Sequence, residues 1–293
     1  MIAVDALGGD FAPHAIIEGA LRASRTRIPV ALFGPTDQLI AILNQLDSEW
    51  KCLPISIFHS SEEILMDEEP AMAVRRKGDS SLVRAVASVA DGTCTGVVSA
   101  GNSGALMVAA MFILGKSDGI DRPAIAGLIP LPNNKHTLVL DLGGNVNCKA
   151  SHLLHFAHLG MNYMLTRSIV QHPPRIALLC NGTEENKGSA LVKEAHALFV
   201  QSTHHFVGNI EPADVLDGKA DIVVCDGFTG NIFLKTIEAC SRMFEKGNSP
   251  YTIPGGAQLL GVKGAVIVAH GNSSSSSIQK AIHLAHQIKP LKQ

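Results

Sequence analysis

Asp221-Ile222-Val223-Val224-Cys225-Asp226-Gly227-Phe228-Thr229-Gly230-Asn231 is the stretch whose reading decides the fold. An apolar run ends in a carboxylate. A turn bracketed by glycines then presents a hydroxyl and an amide, and Ile232-Phe233-Leu234-Lys235-Thr236 opens a helical pattern. Glycine on both sides of such polar groups suits backbone that approaches a small polar ligand closely. The pattern recurs at Val97-Val98-Ser99-Ala100-Gly101-Asn102-Ser103-Gly104 and at Leu138-Val139-Leu140-Asp141-Leu142-Gly143-Gly144-Asn145. Strand ends carrying Gly with Asp, Asn or Ser predict one polar site at the rim of a parallel sheet.

Working outward, short apolar runs predict strands at 2–7, 30–33, 55–59, 96–99, 137–142, 175–181, 205–207, 222–226 and 265–269. Most are continuous runs without alternation, as expected of strands covered on both faces. Helical patterns fall between many of them, at 14–25, 82–90, 103–114, 152–170, 187–200, 231–244 and 275–287. Asp79-Ser80-Ser81 signals the cap of the second of these helices. Strand–helix alternation of this kind predicts a right-handed, doubly wound α/β fold with a mostly parallel sheet in three α/β/α layers. The stretch 245–256 is polar and rich in Gly and Pro and reads as loop. The serine run 273–277 reads either as a turn and helix cap or as a hydroxyl-rich anion cradle after His270-Gly271.

The 293 residues suffice for two lobes with ample core. The chain is 46% hydrophobic but only 4% aromatic, so the core is built from Ala, Val, Ile and Leu. A net charge of −2 gives no global reason to bind nucleic acid. The six cysteines show no metal-ligand spacing, which fits a reducing compartment. Asp5 interrupts the N-terminal apolar stretch, so a signal peptide is not expected, nor is any apolar run long enough to span a bilayer. A cytoplasmic protein is the expectation.

Taken in order, several motifs resemble the phosphate acyltransferases of the PlsX type, the acyl-[acyl-carrier-protein]:phosphate transacylases. They are Asp5-Ala6-Leu7-Gly8-Gly9-Asp10 with Pro13; the run 99–107 (SAGNSGALM); 141–145 (DLGGN); 184–188 around Lys187; Gly208-Asn209-Ile210-Glu211; 221–235; 255–264 (GGAQLLGVKG); and His270-Gly271. Each is weak alone, and their ordered combination is specific. The chain departs from the pattern at Leu7, where Met is usual, at Gly144, where Ala is usual, at Asn181-Gly182-Thr183, and in the 245–256 stretch, which is much shorter than the usual helical insertion.

The resemblance implies a fold similar to isocitrate and isopropylmalate dehydrogenases and to phosphotransacetylase, with two lobes and a cleft. By analogy the lobes would be 1–125 plus 257–293, and 126–256, forming one catalytic unit over 1–293. It also implies a homodimer, a role in phospholipid synthesis, and acyl-carrier protein and inorganic phosphate as partners, with no cofactor and no metal. The resemblance also implies a peripheral contact with the membrane or a membrane acyltransferase, but the shortening of 245–256 counts against any such contact that the usual insertion would make.

Acyl transfer to phosphate needs an anion site, donors aimed at the developing oxyanion, an acyl groove and a docking face for an acidic carrier. The nucleophile belongs to the substrate, so positioning and electrostatics are the main tasks of the protein. Ser99, Gly101, Asn102, Ser103, Asn145, Lys187 and Thr229 are the candidate phosphate-binding residues. His270, Lys235, Asp226 and Asn231 are the candidate catalytic residues, and Lys263 is a further candidate cation. Asp10, Asp141 and Asp226 read equally as proton acceptors or lysine partners and as helix caps or turn braces. His270 reads as general acid–base or as a structural strand-end histidine. Arg75-Arg76-Lys77 reads as a solvated face or as the docking point for the carrier. His152, His155 and His158 lack an accompanying carboxylate, which argues against a metal site. A covalent acyl-thioester at Cys148 is a rival mechanism, disfavoured because no histidine is paired with it. Rival functions are an acyl-CoA:phosphate transferase of the phosphotransacetylase kind, a nicotinamide-dependent dehydrogenase, and a non-catalytic phosphate- or acyl-binding regulator.

Overall fold

The structure, a computed structural model, describes residues 1–132, 135–202, 205–244 and 255–288. The elements run β1 (Ile2–Asp5), α1 (His14–Ser24), β2 (Val30–Gly34), α2 (Thr36–Leu46), β3 (Ile55–His59), α3 (Pro70–Arg76), α4 (Ser81–Ala90), β4 (Gly96–Ser99) and α5 (Ser103–Ala109). A π turn, Ala110–Leu114, continues α5. Then follow β5 (Ala124–Pro130), β6 (His136–Leu140), α6 (Ala150–Thr166), β7 (Ile176–Leu179), α7 (Ala190–Ser202), β8 (Phe206–Ile210), α8 (Pro212–Leu216), β9 (Ile222–Val224) and α9 (Gly227–Phe244). The last elements are β10 (Ala257–Leu260), β11 (Ala265–Val268) and α10 (Ser275–Gln287).

The chain divides into two compact units: Met1–Asp118 together with Pro254–Gln293, and Gly119–Ile253. In the first unit the strand order is β3-β2-β1-β4-β11-β10, parallel except where β10 runs antiparallel to β11. Alternate strand residues face opposite ways. Ile2, Val4, Val30, Leu32, Val98 and Ile267 join α1, α2 and α10 in one buried cluster. Asp5 and Ser99 have the other parity, and Asp5 meets Ser81 at the start of α4. In the second unit the order is β5-β6-β9-β7-β8, parallel except for β5 against β6. The fold is therefore α/β with mostly parallel strands, as the alternation of apolar runs predicts.

The sequence reading missed two strands, β5 and β10, and both are antiparallel. β5 has Gly127 at its centre and ends on Pro130, and β10 lies inside the glycine-bracketed motif at 255–264, so the turn residues mask both. Helices α2, α3 and α8 are likewise absent from the elements that the sequence pattern predicts. The apolar pattern predicts a start of α9 at Asn231, but the helix begins at Gly227. Gly188, with φ +90°, delays α7 to Ala190. Of the loop expected at 245–256, residues 245–254 lie outside the described residues. The serine run resolves as a cap: Ser274 Oγ accepts the Ser277 N–H at 3.3 Å and α10 follows.

Candidate functional site

In the first unit the polar loops at the ends of β1, β4 and β11 come together. Asp5, almost wholly buried, ends β1. The Ser81 hydroxyl donates to its Oδ1 at 2.5 Å and the Ser99 hydroxyl to its Oδ2 at 2.6 Å. Ser99 Oγ in turn accepts the Gly101 N–H at 3.1 Å. One carboxylate thus braces the glycine loop after β4 against the first residue of α4. Burial pushes the Asp5 pKa up, and the two hydroxyls hold it partly back. A Cβ on Gly8 would lie 2.7 Å from the Gly101 nitrogen, and one on Gly9 would lie 3.1 Å from the Gly271 oxygen. The Asp10 N–H donates to that same carbonyl at 2.7 Å.

Ser99 therefore directs its hydrogen to Asp5. Asn102 is buried and its side chain is fully engaged. Its Oδ1 accepts the Ala105 N–H at 3.0 Å, capping α5. Its Nδ2 donates to the carbonyls of Leu65 and Met66, both at 3.3 Å, and of Glu68 at 3.0 Å. Ser103, the first residue of α5, and His270, beyond the end of β11, are half-buried.

The basic run sits at the end of α3, where Arg75 and Arg76 are exposed. Lys77 is half-buried and already paired. Its Nζ pairs with Glu68 at 2.5 Å and donates to the Glu63 carbonyl at 2.8 Å. Lys263 is paired in the same way, 3.3 Å from Asp118.

The second unit carries a similar device. Asp141 has no exposed surface. Its Oδ1 accepts N–H groups from Ile125 at 2.9 Å and Gly144 at 3.0 Å. Its Oδ2 accepts the Asn145 backbone N–H at 2.5 Å and Asn145 Nδ2 at 2.8 Å. Asn145 Nδ2 also donates to the Pro123 carbonyl at 2.8 Å. Burial raises the Asp141 pKa while these four donors oppose the shift. Of the open alternatives, the turn brace is the role these bonds fill.

Asp226 is the cap of α9: Oδ1 accepts the Thr229 N–H at 3.0 Å and Oδ2 the Thr229 hydroxyl at 2.8 Å. A carboxylate at this position complements the positive end of the helix dipole. The glycines of the opening stretch have a physical task the sequence did not reveal. A Cβ on Gly227 would lie 2.8 Å from the Asn145 nitrogen, and one on Gly230 only 1.9 Å from the Asp141 carbonyl oxygen. They let the first turn of α9 press onto the 141–145 loop. Asn231 is half-buried beside that loop, its Cβ 3.5 Å from where a Cβ on Gly143 would sit, and Lys235 is exposed one turn further on. Lys187 is exposed on the loop after β7, and Asn209 Nδ2 secures that loop by donating to the Glu184 carbonyl at 3.0 Å.

Cys148 donates to the Asn145 carbonyl at 3.3 Å, and burial, followed by the charges of Asp141 and Asp226, pushes its thiol to about 11. His152 Nδ1 accepts the Lys149 N–H at 3.1 Å, and its Nε2 lies 3.3 Å from Asp121. Burial first, then Arg122, lowers the His152 pKa and favours the neutral ring. Among the described residues no three His, Cys, Asp or Glu side chains are grouped to hold a metal ion, and no helix is long and apolar enough to cross a membrane.

Asp5 is the residue the sequence reading undervalued. Its one local signal is a carboxylate at the end of an apolar strand.

The fold defines the class. A phosphotransacetylase from Streptococcus pyogenes matches with a TM-score of 0.66 at 20% identity, covering 98% of this chain and 93% of that one. A 4-hydroxythreonine-4-phosphate dehydrogenase from Klebsiella pneumoniae matches at 0.59 and 17%, covering 98% of each chain. These likenesses show the fold: that of the phosphotransacetylases and of a group of dehydrogenases. A family model described as "Fatty acid synthesis protein" matches residues 1–247. The phosphate acyltransferase of Pelotomaculum thermopropionicum is 41% identical over 316 aligned positions, covering 98% of this chain and 90% of the relative. The chain belongs to the phosphate acyltransferase family, a family of transferases.

Proposed function

We propose that this chain moves a fatty acyl group from acyl-carrier protein to inorganic phosphate, giving acyl phosphate for phospholipid synthesis. The observation that carries the reading is the 41% identity to a phosphate acyltransferase over nearly the whole chain. The braced glycine loops in each unit support it, because a rigid loop holds backbone N–H groups without reorganisation when charge develops.

In this reaction a phosphate oxygen attacks the thioester carbonyl, the C–S bond breaks, and the carrier leaves as a thiolate with the electron pair. A thiol with a pKa of about 8.5 is a good leaving group at neutral pH, so no strong acid is required. In this reading Lys187 and Lys235 neutralise phosphate charge and Asn231 donates a hydrogen bond to it in the second unit, and Ser103 is the donor that the first unit offers. His270 handles the phosphate proton. Asn102, Asn145, Ser99 and Asp226 act by fixing the loops and the first turn of α9, with Gly101 lending its loop and Thr229 the α9 cap. Arg75 and Arg76 receive the acidic carrier. The working form is a homodimer in the cytoplasm, with peripheral contact at the membrane.

The test is incubation with phosphate and either acyl-carrier protein or acyl-CoA, followed by hydroxylamine trapping of acyl phosphate. Acyl hydroxamate formed faster from the carrier thioester is the expected result. Faster formation from the CoA thioester would move the assignment to a phosphotransacetylase-like enzyme, and none from either would remove the reading.

A further inference from the structure

The loop that Asn102 holds has features that the proposed roles above leave unused. Residues 65–68 form a turn, with the Glu68 N–H donating to the Leu65 carbonyl at 3.3 Å. The Glu68 carboxylate closes the turn by accepting the Leu65 N–H at 2.8 Å and pairing with Lys77 at 2.5 Å. Three carbonyls of the turn are held by Asn102, a buried side chain. This turn is pinned from two sides, yet it presents Leu65 and Met66 outward, 48% and 52% exposed. Apolar side chains of this size are ordinarily favoured in contact with other apolar groups. A turn fixed so firmly cannot fold them away.

Their position gives them a purpose. Met66 Cε lies 3.4 Å from where a Cβ on Gly271 would sit, and the Asp10 carboxylate lies 3.2 and 3.4 Å from the same point. Met66 therefore lies across the residue that follows His270, at the meeting point of the loops from β1, β4 and β11. Phe11, next to Asp10, is 57% exposed. An apolar rim borders a polar loop set, which is the arrangement an acyl group attached to a reacting carbonyl would need.

We propose that Leu65 and Met66 form part of the wall that contacts the acyl chain of the donor and sets its length preference, with Asn102 as the positioning residue of that wall. The inference rests on the acyl-transfer reading. The flexible thioether of Met66 suits chains of differing length and saturation. Contact of this kind scales with the methylenes that reach the wall.

The experiment measures kcat/KM of the full chain for butyryl, octanoyl and palmitoyl thioesters with inorganic phosphate. In the Leu65→Ala/Met66→Ala double variant, both positions are exposed, so folding is expected to be intact. The palmitoyl value should fall about 10-fold while the butyryl value stays within about twofold. Asn102→Ala should move the profile in the same direction, by releasing the turn. If that buried-site variant fails to fold, the surface double variant decides the matter alone. A loss equal at all chain lengths, or no loss, overturns the inference while leaving acyl transfer intact. A wild-type chain that makes no acyl phosphate from any donor removes the acyl-transfer reading itself, a result distinguishable from the other two.

Discussion

Cys148 and Asp5 show how the surroundings of one side chain decide its chemistry. With its thiol at about 11, Cys148 is ionised in only about one molecule in ten thousand at pH 7. It has a backbone carbonyl for a partner and negative charges for neighbours, the opposite of what activates a nucleophile. Cys148→Ser should therefore retain most of the acyl-phosphate turnover, and loss of nearly all of it in a hydroxamate assay would restore the covalent route. Asp5 behaves differently. Burial raises its folded-state pKa above the ordinary 3.8, so the native state holds the proton more tightly than the unfolded chain does. Its favourable contribution is complete below that ordinary value and is lost as pH rises through the folded-state value. Asp5→Asn cannot titrate. The difference in Tm, wild type minus variant, should be more favourable to the wild type at pH 4 than at pH 7, and a difference that grows toward neutrality would mean the ionised form is the favoured one. The sequence displayed the candidate polar residues but not their partners. Asn102 and Asn145 look alike as loop amides, and only their engagement with the 65–68 turn and with Asp141 shows that both are braces.

At the scale of elements, the start of α9 rests on an absence of atoms. A methyl group at residue 230 would meet the Asp141 carbonyl at 1.9 Å, and that carbonyl belongs to backbone that cannot rotate aside. Gly230→Ala should cost about 2–3 kcal/mol in denaturant unfolding. Gly78→Ala, where a Cβ would meet nothing within 4 Å, should stay within about 0.5 kcal/mol. Equal effects would show that the close approach is not what stabilises this junction. The same glycines explain a misread boundary. Glycines in the first turn of a helix read as a loop, so the helix looked four residues shorter at its start than it is. Most parallel strands are legible as short apolar runs bounded by turn residues, whereas β5 carries Gly127 within it and closes on Pro130, and β10 is only four residues long with Gln258 inside it. Lys77 was legible as a charge, but its pairing with Glu68 depends on how α3 follows the 65–68 turn.

For the molecule as a whole, a net charge of −2 excludes attraction of an acidic carrier by overall charge, so any attraction must be local. Arg75 and Arg76 on α3 are the exposed remainder of the basic run. Reversing both to Glu should raise the KM for the acyl carrier several-fold and weaken its dependence on salt, leaving butyryl-CoA turnover unchanged. An unchanged carrier KM would remove the docking role proposed for α3. The first unit is assembled from two separated stretches of chain, Met1–Asp118 and Pro254–Gln293, and β11 belongs between β4 and β10. During synthesis, all of Gly119–Ile253 leaves the ribosome before that gap can be filled. The nascent first unit must wait with the β4 edge bare and α1 lacking α10, a window in which a chaperone has something to shield.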